Sequence, residues 1–299
     1  MPTLRRFSLL LLILALAACG PKPGPVGTDP VSTTVASLEA PTGTPTITPT
    51  PVPAAALVNG EIISQAEFEA EVSRLKAAQA DLGLEISDDE AAGRALDELI
   101  DQVLLAQAAQ AEGYSLDEAA LDARIESLAA DMGGAEALSA WRQAQGYTEA
   151  GFRSALRRAL AAAWMRDQII ASVPPTAEQV HVKQILLYNQ ERANNVLAQL
   201  QAGSDFDDLA ALFDPVTRGE MGWFPRGYLL EPAIEEAAFA LEPGRFSDVI
   251  VTGAGFHIIR VVERAERALS ADAYLSLQEK ALAGWLDQQR QLSTITLTP

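Results

Sequence analysis

The sequence predicts an α+β chain in which a helical domain is interrupted by a smaller inserted α+β domain. Three observations carry this reading. Capping signatures recur at Ser64-Gln65-Ala66-Glu67, Ser87-Asp88-Asp89-Glu90 and Ser115-Leu116-Asp117-Glu118, at the starts of helical stretches. From Val180 the pattern changes to short strand-like and helical runs punctuated by glycine. After Ala268 the chain returns to one long amphipathic helix and a short strand-like end.

The helical domain is read over residues 55–173. The pair Asn59-Gly60 lies between short apolar runs and predicts a small hairpin. In the second helix Leu96, Leu99, Ile100, Val103 and Leu104 form one stripe at i, i+3, i+4 spacing, with Gly113 as a C-terminal cap. Further helices are expected over residues 117–131, 135–145 and 149–172, the last ended by Pro174-Pro175. Trp141 and Trp164 read as core residues rather than as the lining of a groove.

The first 19 residues read as a signal peptide. Arg5 and Arg6 precede an apolar run, Leu9 to Leu16, that is far shorter than the ~20 residues needed to span a bilayer. The ending Leu16-Ala17-Ala18-Cys19-Gly20 resembles the bacterial lipobox, which implies acylation of Cys19 and a lipid anchor on the outer side of a membrane in the bacterial cell envelope. Cys19 is the single cysteine, so an intramolecular disulfide is excluded. Residues 20–54, dense in Pro and Thr with almost no charge, predict a disordered, semi-rigid spacer at ~3.1 Å per residue.

A net charge of −18 argues against a nucleic-acid partner, because phosphate binding needs clustered cations. No nucleotide loop, nucleophile elbow or metal motif occurs. The two histidines, His181 and His257, cannot build a multi-histidine centre, so no cofactor is expected.

The inserted domain is read over residues 174–266. Strands are expected over residues 180–188, 246–251 and 256–262, and helices over 191–202, 206–212 and 231–241. Within it, Gly219-Glu220-Met221-Gly222-Trp223-Phe224-Pro225-Arg226-Gly227 resembles the GDLGWF-x-RG signature of the parvulin-type prolyl isomerases. Three further pieces fall in that family's order around it: Gly203 to Ala210, Glu236 to Gly244, and Gly255-Phe256-His257-Ile258-Ile259. The flanking helices and the lipobox are similar to the extracytoplasmic foldases of the PrsA and SurA type.

By motif position the resemblance implies a proline-ring pocket of Met221, Phe224, Ile234, Phe239 and either Leu229 or Leu230. It also implies polar catalytic residues His257, Gln184, Asp214 and Thr252 around the bond. The implied partners are unfolded or nascent secreted polypeptides containing proline. Two departures bear on activity. Gln184 stands where the family usually has histidine, and a glutamine cannot be protonated. The loop Phe213 to Arg218 is also shorter than usual. The loop after the first strand has no basic cluster, which argues against phosphoprotein specificity. An isomerase and a catalytically inactive holdase therefore both remain open. A solute-binding lipoprotein is disfavoured, because the two-lobed α/β pattern is missing. The C-terminal segment, residues 267–299, is expected to pack back on the helical domain, with its last strand beside residues 55–63.

Overall fold

The computed structural model describes residues 53–298. The signal peptide, Cys19 and most of the spacer lie outside the described residues.

The helical domain opens with a hairpin, β1 (Ala54–Val58) and β2 (Glu61–Ser64), turned by Asn59 and Gly60, both at positive φ. Then come α1 (Gln65–Asp81), α2 (Asp88–Ala111), α3 (Glu118–Asp131), α4 (Ala135–Ala144) and α5 (Glu149–Ala171). Ser64 and Ser87 cap α1 and α2 by accepting from the N–H groups of Glu67 and Glu90. The third signature acts differently. Asp117, not Ser115, is the N-cap of α3, and its carboxylate accepts from Ala120 N–H at 2.7 Å. The better acceptor two residues on takes the helix start. Gly113, at φ +91, comes directly after the C-cap of α2.

The inserted module comprises β3 (Thr176–Leu187), α6 (Gln190–Gln201), α7 (Phe206–Phe213), β4 (Glu220–Pro225), α8 (Pro232–Ala240), β5 (Ile250–Thr252) and β6 (Gly255–Ala268). Its antiparallel sheet has the order β4-β3-β6-β5. The strand expected over residues 246–251 is reduced to β5. Phe246 makes only an isolated bridge to Arg260, because Ser247 turns its side chain into the ladder, accepting from Ile259 N–H. Helix α8 covers one sheet face, burying Val180, Val182, Phe224, Ile234, Ala238, Phe239, Ile259 and Val261 together. On the other face α6 and α7 bury Ile185, Leu187, Val196, Leu200, Phe206 and Ile258.

Finally α9 (Ala271–Leu292) and β7 (Ile295–Leu297) return to the helical domain. Strand β7 pairs antiparallel with β1, giving a sheet β2-β1-β7 packed on the stripe of α2. The insertion passes through a narrow neck. Thr176 faces Ala268, Leu269 N–H donates to Pro175 O at 2.9 Å, and the buried Gln179 amide donates to the carbonyls of Arg267 and Ala268.

Candidate functional site

Most of the resemblance-derived residues come together on the α8 face of the module sheet, those of β3 and β6 placed there by strand alternation. In β3 the residues Val180, Val182 and Gln184 share a face. In β6 the same face is presented by Val261, Ile259 and His257, with Val182 opposite Val261 and Gln184 opposite Ile259. Phe224 in β4 joins them opposite Val180.

Met221 lies an odd number of residues from Phe224, and plain alternation would aim it at the opposite face. A bulge corrects this: Val182 pairs with Gly222 and Lys183 with Glu220, leaving Met221 as the extra residue beside Gly222 at φ +77. Met221 thereby packs against the cluster holding Phe224 and Ile234. The bulge is fixed at its base by Gln184 N–H donating to Gly219 O at 2.7 Å. Gly219 sits at φ +74, and a Cβ there would collide with the Gln184 carbonyl oxygen, so only glycine fits.

Beyond this apolar floor runs a polar row. His257 is 4% exposed. Its Nδ1 lies 3.0 Å from Gln184 Oε1 and its Nε2 lies 2.9 Å from Thr252 Oγ1. An amide oxygen can only accept, so Nδ1 carries the proton and donates to Gln184, while Nε2 accepts from the Thr252 hydroxyl. Thr252 in turn accepts from Ala254 N–H at 3.1 Å. Burial holds the imidazole below the usual histidine range, opposed by the Glu231 carboxylate nearby. His257 is thus a neutral ring with both nitrogens engaged. The glutamine-for-histidine departure supplies the acceptor that fixes this tautomer.

The other expected residues divide. Leu229 packs against the apolar cluster, whereas Leu230 is 88% exposed and outside it. Phe224, Ile234 and Phe239 are buried and form the floor, while Met221, Tyr228 and Leu229 are half-buried above it. Phe239 stands edge-on to Phe224, with the guanidinium of Arg226 4.2 Å from its ring centroid. Asp214 caps the end of α7 and turns its carboxylate into its own loop, accepting from the N–H groups of Val216 and Thr217 and from the Thr217 hydroxyl. These bonds, the Thr217 hydroxyl first, hold its carboxyl below the usual range. No hydrogen bond joins it to His257 among the described residues.

Motif reading missed two groups. Glu235, in α8, accepts from Gly227 N–H at 2.7 Å and from Leu229 N–H at 3.1 Å, fixing the loop that carries Leu229. Glu231 is the charge acting on His257. The available signal was a pair of carboxylates one turn apart flanking the apolar Ile234.

The helical domain holds a second candidate, an open cleft of about 420 Å³ between α5 and α9, lined by Trp164, Met165, Ile169, Ala281, Trp285 and Glu112. Trp164 is half-buried and stacks obliquely on Tyr114, with ring centroids 5.5 Å apart. It therefore serves the core and the cleft wall together. Trp141 packs in an aromatic group with Tyr147 and Phe152. Among the described residues no cluster of three or more potential metal ligands occurs, and no helix is long and apolar enough to cross a membrane.

Comparison with known proteins agrees with this architecture. The family model for a SurA-like N-terminal domain matches residues 31–166, and that for a PPIC-type PPIASE domain matches residues 169–263. A foldase protein PrsA of Halalkalibacterium halodurans is 36% identical over 107 residues, covering 34% of this chain and 30% of the relative. A chaperone SurA of Thiobacillus denitrificans is 28% identical over 226 residues, covering 62% and 49% respectively. The chain thus spans half or less of the length of these curated relatives. The crystal structure of peptidylprolyl isomerase PrsA from Bacillus cereus is similar over 79% of this chain and 84% of its own, at 20% identity and a TM-score of 0.43. The chain thus joins a SurA-like N-terminal domain to a PPIC-type PPIASE domain, in this order, and is similar to foldases named PrsA and chaperones named SurA.

Proposed function

We propose that the protein is a prolyl isomerase and foldase held by a lipid on Cys19 at the outer side of a bacterial membrane, with residues 20–54 as spacer, acting on unfolded secreted polypeptides. The observation that carries the reading is the shared sheet face: a directional, neutral row Thr252–His257–Gln184 adjoins an apolar wall of Met221, Phe224, Leu229 and Ile234.

Rotation about a peptide bond meets a barrier of ~18–20 kcal/mol because resonance keeps it planar. Twisting removes that resonance, shrinks the carbonyl dipole and returns the lone pair to nitrogen. An apolar wall against the proline ring and amide therefore disfavours the dipolar planar forms, and a donor aimed at the twisted nitrogen favours the twisted one. His257 has no free N–H to give, so its role is to orient its neighbours. The donor this row leaves available is the Gln184 amide NH₂, for which no intramolecular partner is present among the described residues. No proton is transferred in this scheme, which is why a glutamine can stand in β3. Asp214 acts indirectly, shaping the loop that ends at Gly219.

A protease-coupled assay on a proline tetrapeptide tests the reading. Purified protein is expected to accelerate exchange, and His257→Ala and Met221→Ala to reduce it severely. A wild-type rate equal to the uncatalysed background would leave the second reading, a holdase. That reading is favoured by the apolar cleft at Trp164 and Trp285, which can take an unfolded segment without reference to proline.

A further inference from the structure

We infer that helix α9, which belongs to the helical domain, positions the wall of the candidate isomerase site through Lys280 and Leu277; the inference rests on the isomerase reading above. The contact point is Gly227. Its N–H is taken by Glu235 at 2.7 Å, and its carbonyl accepts from the Lys280 ammonium of α9. It lies in the left-handed region at φ +80, and a Cβ placed on it would stand 3.2 Å from Leu277 Cδ2. This one residue is therefore gripped through its N–H from inside the module by α8 and through its carbonyl from outside by α9.

The residues just after Gly227 give the grip its significance. Tyr228 and Leu229 pack against the apolar floor, and Leu229 N–H is the second donor to Glu235. Two residues later Glu231 occupies the N-cap position of α8, with no side-chain capping bond, and its charge acts on His257. The same short loop thus carries a wall of the pocket and Glu231, whose carboxylate opposes the effect of burial on the His257 imidazole; the ring's hydrogen-bond partners, Gln184 and Thr252, are neutral. Because α9 is itself packed on α5 and tied to α2 by Arg290, the loop is referenced to the helical domain rather than to the module alone. Lys280 and Leu277 are positioning residues, acting through Gly227 on Leu229 and Glu231.

The test uses the full chain and two readouts. Lys280 is exposed, so Lys280→Ala leaves the core untouched; Leu277→Ala is added in a second variant. The tetrapeptide kcat/KM is expected to fall on the order of tenfold in the double variant, as for other losses of positioning, and Lys280→Arg is expected to restore the rate of the Lys280→Ala single variant. The second readout is the His257 titration by NMR, assigned with His181→Asn. If the loop relaxes, the Glu231 charge recedes and His257 titrates at lower pH, in the same direction as in Glu231→Gln; combining Glu231→Gln with Lys280→Ala should shift it no further. A folded double variant whose His257 titration is unmoved overturns the inference, whatever the rate does. Should the wild type prove inactive, the isomerase reading fails on the rate alone, and the titration still decides whether α9 sets the loop.

Discussion

On the proposed function, the row at His257 and the cleft at Trp285 would meet a polypeptide in two different ways. The row is neutral and built around the buried His257, with Gln184 and Thr252 half-buried on either side; each hydrogen bond has a fixed direction, and Phe224 and Ile234 beneath it belong to the core. The cleft is open, its walls are large half-buried side chains, and hydrogen bonds do not dictate orientation there. On that reading, geometry at the row would discriminate among bonds, and shape and apolar area at the cleft only among segments. The difference would assign selectivity to the small module and capacity to the helical domain, so equivalent substitutions in the two places should fail differently.

The largest contrast is expected from Phe224→Ala. Its ring is 1% exposed and shared between the site and the core, so truncation should cost about 3–5 kcal/mol in urea unfolding. A loss under ~1 kcal/mol would break the claim that site and core are one cluster. Gln184→Leu comes next. It leaves His257 Nδ1 without its acceptor in a buried position, at about 1–3 kcal/mol, and removes the donor proposed for the twisted amide. Both the melt and the tetrapeptide rate should fall, and an unchanged rate would reassign the donor.

Protonation sharpens the comparison further, because the two regions respond with opposite signs. Burial lowers the His257 pKa in the fold, so the unfolded chain binds the extra proton. Its contribution to stability is complete above the ordinary histidine value of ~6.5 and is lost as pH falls below it. In the helical domain, burial pushes Asp101 up to about 6 despite the opposing Arg290 guanidinium. There the fold holds the proton more tightly, so the contribution is present below the ordinary carboxylate value and is lost as pH rises toward about 6. Asp101→Asn should remove that acid-side slope and leave the His257 segment intact, as read from melts between pH 4 and 7. The smallest effect is expected from Trp285→Ala, which should weaken capture of an unfolded model protein a few-fold with little change in the melt. Equal loss of tetrapeptide turnover would merge the two regions into one site.

Much of this was legible in the chain. The stripe at Leu96–Leu104 and the proline stop at Pro174-Pro175 mark real helix features, since both rest on local periodicity and backbone chemistry. Met221 and Phe224 were reachable through the glycine-rich signature, and Phe239 and His257 through the separate pieces over residues 236–244 and 255–259. What local pattern could not supply was register. Met221 faces the floor only because a bulge at Gly222 breaks alternation, and the cap of α3 moved to Asp117 because two acceptors competed within one turn. The choice between Leu229 and Leu230 turned on which side of a loop met α8. Glu235 and Lys280 were invisible for a related reason. Each acts on backbone atoms of Gly227, and a partner that binds main chain leaves no complementary side chain to notice.

The strand β7 sits beside β1 although almost the entire described chain lies between them. That arrangement sets an order of assembly. The module is closed by its own neck and can condense as soon as Ala268 is available, whereas the β2-β1-β7 sheet must wait for the last residues of the chain. A new copy therefore passes through an interval in which the inserted unit is finished while its host is still one strand short, with the edge of β1 at residues 56–58 briefly open to whatever extended chain is near.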